Sequence, residues 1–172
     1  MDMTVTKESR YAVGVFSEGE ALRRAHRELV QQGFKESEIC LMAPGTVVNA
    51  SRAGQSSAGN TDCSLHELVA ALAPSATHCA AGTVYASSGN LCNCLGYDLE
   101  THTQGMWLSD VLGLWISRRS AEYFEDRLGE GKILLWVPIG HHNHVRREHL
   151  ACGILLDHAS ESVRVLDFAL RN

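Results

Sequence analysis

The strongest constraint on the fold of this chain is an outline that occurs twice, once at each end. Residues 10–43 read strand–helix–strand, and residues 132–170 read strand–helix–strand again. Two split βαβ units of this kind can pair into one four-stranded antiparallel sheet. The prediction is therefore an α+β protein: a ferredoxin-like split βαβ sheet with helices on one face and a large central insertion. One domain is expected over 1–172, with a βαβ unit at 10–43, the insertion at 45–113, and a helix plus the second unit at 117–170. This architecture hosts many unrelated activities, so function must be argued from side chains.

The first unit is clear locally. Tyr11–Phe16 is apolar and rich in β-formers, as a central strand should be. Ser17-Glu-Gly-Glu20 has the form of a capping box. Ala21, Leu22, Ala25, Leu29 and Val30 then recur at helical spacing, with Arg23, Arg24, Arg27 and Glu28 largely opposite. Gly33 is placed to be the left-handed residue that ends the helix, with Phe34 folding back on the last turn. Ile39–Ala43 is the next strand, and Pro44 stops it.

The second unit mirrors the first. Lys132–Ile139 is a nearly continuous apolar run, expected to be central and to leave the ladder near Pro138. Residues 144–158 form a helix whose middle, Leu150–Leu156, is apolar almost all round and is expected to be well buried. Val163–Phe168 alternates and closes the sheet, with neither face cleanly polar. Ahead of it, Ser117 caps a helix with Ala121, Phe124, Glu125 and Leu128 on one face, ended by Gly129 or Gly131. In the insertion, Gly45–Thr61 reads as a loop, Ser64–Glu67 as a capping box opening a short helix, and Thr83–Ala86 as a strand.

Composition excludes several classes of function. The net charge is −5 and no basic block is interleaved with aromatics, which argues against nucleic acid. The longest apolar runs fall far short of the roughly 20 residues a membrane span needs. The first twenty residues have no signal-peptide core, so a cytoplasmic location is expected, where the six cysteines, which form no CxxC pair, should mostly be thiols. Cys40 and Cys152 lie inside apolar segments and read as small buried hydrophobes.

The segment YAVGVFSEGEALRRAHRELVQQGFKESEICLMAP resembles the opening of the general stress protein 17M-like group. The segment ISRRSAEYFEDRLGEGKILLWVPIG resembles that group's later block, a helix carrying Ala121-Glu-Tyr-Phe-Glu125 that runs into a hydrophobic strand. Together they cover about half of the chain. The resemblance implies a small stress-associated or regulatory protein and supplies no catalytic residues. The chain departs from the group in its insertion, where Cys, His, Ser and Asn replace a Gly/Ala-rich apolar segment. It departs again at His141-His-Asn-His144, where acidic residues are usual.

Three clusters invite a chemical reading. His141, His142 and His144 stand at a strand-to-helix junction, where neutral imidazoles can hold zinc or copper. The helix dipole opposes their protonation there, while the competing reading is a solvated loop that caps the helix. Cys63, His66, His78, Cys79, Cys92 and Cys94 have ligand or redox chemistry but irregular spacing, and pack equally well as a small satellite core. Trp107 and Trp115 flank an apolar segment, as core or as an interface, and Trp136 is core. No G-x-S-x-G, Walker-type or G-x-G-x-x-G sequence is present, which leaves an enzyme reading without a local signature. The expectation is a non-enzymatic, homodimeric stress-associated or regulatory module that binds a protein partner or small ligand through the insertion. The alternative is a metal-binding protein using His141–His144.

Overall fold

The computed structural model describes residues 8–45, 47, 75–79, 82–86, 108–140 and 145–169. The elements are β1 (Glu8–Phe16), α1 (Gly19–Gln31), a 3-10 turn (Glu36–Glu38), β2 (Cys40–Pro44), β3 (Ser75–Cys79) and β4 (Gly82–Ala86). They continue with α2 (Leu108–Leu112), α3 (Arg118–Gly129), β5 (Ile133–Gly140), α4 (Val145–His158) and β6 (Arg164–Ala169). The strands form one mixed-length antiparallel sheet in the order β3-β4-β2-β5-β1-β6. The protein is thus α+β, with β2, β5 and β1 all interior to the sheet, as their unbroken apolar runs require. Among the described residues no helix is long and apolar enough to cross a membrane.

Helices cover both faces of the sheet, which corrects the expectation of one. Ala12, Phe16, Leu41, Ala43, Leu135 and Val137 face α1 and α4 and pack on Leu22, Ala25, Leu29, Ala151, Ile154 and Leu155. Val13, Val15, Met42, Leu134 and Trp136 point the other way, onto Leu112, Ile116, Ala121, Phe124 and Leu128 of the α2–α3 segment. The cause is in the strands themselves. β1, β2 and β5 are apolar at consecutive positions, and side chains alternate across a strand, so each presents two faces that must leave water. Burying one such large side chain is worth about 1.5–3 kcal/mol.

The helix ends follow their local chemistry. Gly33 has φ +92°, and the amides of Gly33 and Phe34 donate to the carbonyls of Val30 and Leu29 at 3.0 and 3.1 Å. This paired closure of the last turn is the Schellman arrangement. Gly131, with φ +83°, ends α3 in the same way through Leu128 and Arg127. Ser117 caps α3 as expected, its hydroxyl accepting from the Ser120 amide at 3.3 Å. The capping box at Ser17 does not form: α1 starts two residues later with Glu18 as cap, and the Ser17 amide donates to the Ser160 hydroxyl at 2.7 Å. A tertiary partner has replaced the local one.

Two further expectations change. β5 does not leave the ladder at Pro138. Tyr11 pairs with Pro138 and Arg10 with Gly140, so Ile139 is the extra residue of a bulge and the strand runs on. The middle of α4 is not buried all round: Ala151, Ile154 and Leu155 are buried, whereas Leu156 is 59% exposed. α4 covers one face of a sheet that already has its other face filled, so only one stripe of it is needed. Within the insertion, β4 matches the expected strand and β3 adds a second, making the insertion part of the sheet. The proposed loop at 45–61 and helix after Ser64 lie outside the described residues, Gly45 and Val47 excepted.

Candidate functional site

The two largest clusters anticipated from the sequence fall mostly outside the described residues. This holds for His141, His142 and His144, for Cys63, His66, Cys92 and Cys94, and for Trp107. His78 and Cys79 lie on β3, opposite Thr83 and Gly82 of β4. His149, which follows the histidine triplet, is exposed on α4. Among the described residues no group of three or more His, Cys, Asp or Glu side chains is arranged to hold a metal ion.

Cys40 is fully buried, as its apolar surroundings predicted, but it is disulfide-bonded and not a thiol. Burial alone cannot separate the two, since a half-cystine and a small buried thiol both suit an apolar site. Cys152 is a free thiol, half-buried against the α1–α4 core, with its pKa raised by burial and then by Glu148. That combination keeps it protonated and unreactive. Trp115 stacks on Phe168 with ring centroids 5.6 Å apart and planes 7° apart, on the edge of the α2–α3 core. Trp136 is fully buried in that core against Phe124.

The sheet has two edges with different chemistry. β6 carries Arg164 and Asp167, and Asp167 is engaged by Arg10, whose Nε donates to it at 2.8 Å. The same guanidinium donates to Glu148 of α4 at 2.7 Å, so β6, β1 and α4 are held at one point. Charged groups on an edge discourage further pairing. β3, at the opposite edge among the described residues, reads Ser-Ala-Thr-His-Cys and carries no Asp, Glu, Lys, Arg or Pro.

A concave site lies beside α1, in a cavity of about 290 Å³ lined by Arg23, His26, Arg27, Val30, Gln31 and Glu36. Arg23, Arg27 and Gln31 follow one another at four-residue spacing along one flank of the helix. Gly33 reverses the chain, and the 3-10 turn then brings Glu36 back against His26, with Nε2 and Oε1 3.9 Å apart. That separation is too long for a hydrogen bond. His26 is only 8% exposed, and its Nε2 has no hydrogen-bond partner among the described residues. Burial lowers its pKa, and Glu36 offsets part of the effect, so the imidazole is neutral at pH 7. Arg23 makes only a loose pair with Glu20 at 3.8 Å, and no ion pair to Arg27 occurs among the described residues.

None of these residues stood out in the sequence. Arg23 and Arg27 read there as the solvated side of an amphipathic helix, and the spacing of His26 between them was the available clue. The return of Glu36 depends on a turn and could not be placed beforehand. No family model, curated protein or solved structure matches the chain.

Proposed function

We propose that this chain is a non-enzymatic, stress-associated regulatory module on a ferredoxin-like scaffold, which acts through its central insertion by docking a second copy of itself. The scaffold reading is supported by the order β2-β5-β1-β6, in which each βαβ unit places its strands apart and the other unit fills the gap. The segments that resemble the general stress protein 17M-like group fall on β1-α1-β2 and α3-β5, within that scaffold. The observation that carries the docking is the uncharged edge of β3. Unpaired edge strands offer a row of backbone donors and acceptors, and β3 lacks the charges that guard β6. A two-fold pairing of β3 with its own copy continues the sheet across a dimer and leaves no edge at the insertion.

Two proline variants test this. In an edge strand, successive amides point alternately to the neighbour and to solvent. Of Ala76→Pro and Thr77→Pro, one therefore removes a bond to β4 and the other removes only an outward donor. The outward variant keeps the native circular dichroism spectrum and sediments as a monomer of 18.8 kDa, while the unaltered chain sediments as a dimer. A dimer that survives both variants overturns the reading.

A second reading has one observation in its favour. His141, His142 and His144 fall between the described ends of β5 and α4, two packed elements only four residues apart in the sequence. Zinc or copper bound there is expected at about one equivalent per chain in untagged protein, and His142→Ala lowers it. Less than about 0.2 equivalents after zinc or copper is added sinks this reading.

A further inference from the structure

We infer that the cavity beside α1 is a binding site for a small organic anion, a phosphate or carboxylate that also carries a hydroxyl donor. The inference stands apart from the docking of β3, since none of its residues belongs to the insertion. The lining charges are Arg23, Arg27 and Glu36, with His26 neutral, so the cavity is net positive on a chain whose net charge is −5. Guanidinium groups four residues apart on a helix reach the same side of a ligand and hold phosphate or carboxylate oxygens through paired N–H donors. Neither has a strong carboxylate partner among the described residues.

His26 is the second observation. A polar atom buried without a partner is costly and calls for an explanation, of which a ligand or a functional role is one. His26 is one of the residues that line this cavity, and its Nε2, shut off from solvent, is too far from Glu36 to bond it. An anion seated on Arg23 and Arg27 favours the protonated imidazole through its charge. The groups that face His26 are then Arg23 and Arg27 from α1 and Glu36 from the 3-10 turn. Glu36 works against a bare anion and in favour of one that brings a donor, because its carboxylate accepts from a ligand hydroxyl. Val30, 38% exposed, offers an apolar wall to the carbon skeleton.

The test uses the full chain with ¹⁵N-labelled arginine and histidine side chains and glycerol phosphate as probe, against inorganic phosphate and against chloride at equal ionic strength. Glycerol phosphate is expected to shift the Arg27 Nε–H and His26 ring resonances saturably, with a Kd of about 1 mM or lower. Inorganic phosphate shifts the same resonances at higher concentration, and chloride does not. Arg27→Gln, at an exposed position, keeps the backbone spectrum and weakens glycerol phosphate about tenfold. Glu36→Gln tightens inorganic phosphate and removes the preference for glycerol phosphate. Shifts that fail to saturate, that chloride reproduces, or that persist unchanged in Arg27→Gln overturn the site. A preference for glycerol phosphate that survives Glu36→Gln overturns the assignment of the donor to Glu36.

Discussion

Trp136→Ala is expected to lower the stability of the fold by about 3–5 kcal/mol, read as a fall in the urea midpoint at constant slope. Trp136 is fully buried on β5, between β1 and β2, and its ring meets Phe124 of α3 at 5.1 Å. Its removal leaves a cavity at the place where the second helical layer is attached to the sheet. Natural domains are stable by about 5–15 kcal/mol, so the loss is a large share of the total. Trp136→Phe separates packing from hydrogen bonding. The indole Nε1 is buried with no partner among the described residues, so a phenyl ring gives up volume but removes an unsatisfied donor. Its cost is expected to stay below about 1.5 kcal/mol. Equal losses in the two variants contradict this account of the core.

Glu161→Gln is expected to cost about 1–2 kcal/mol at pH 7 and almost nothing near pH 2. Glu161 stands in the connection from α4 to β6 and collects three donors. Lys132 Nζ reaches it at 2.6 Å, the Tyr123 hydroxyl at 2.5 Å and Arg127 Nη1 at 3.3 Å. The hydrogen bond from Lys132, then that from Tyr123, draws its carboxyl down from the usual 4.5 to about 2. A carboxyl depressed in the folded state contributes stability that is complete above the unfolded pKa and is lost as pH falls through the folded one. The window is therefore about pH 5 down to about pH 2. The full shift corresponds to about 3 kcal/mol. The side chain is 21% exposed, and solvent screening reduces the figure. Urea midpoints measured from pH 7 downward check this. The unaltered chain loses stability across the window, the variant changes less, and the two curves converge. Parallel curves contradict the role given to Glu161.

These two sites also show what was legible beforehand. Trp136 sits in a run of apolar β-formers, and its burial follows from the sequence. The same run contained the reason for the second helical layer, because consecutive apolar residues on β1, β2 and β5 leave neither face for water. Gly33 announced the end of α1, and Gly129 or Gly131 that of α3, where Gly131 takes the left-handed conformation. Glu161 was invisible. Its partners stand 29 to 38 residues away, and an acidic residue in a polar connection carries no mark of what it will meet. β3 was missed because Ser-Ala-Thr-His-Cys has little β propensity and is held by pairing with β4. The cavity beside α1 needed a turn to bring Glu36 back, which spacing along one helix does not reveal.

Amide exchange along Ser75–Cys79, followed at two protein concentrations, tests the docking of a second chain through the insertion most directly. If β3 pairs with its own copy, its outward amides are protected at about 100 µM and exchange freely at about 1 µM, while those of β6 behave alike at both. Exchange along Ser75–Cys79 that is indifferent to concentration, in a chain that sediments at 18.8 kDa throughout, contradicts it.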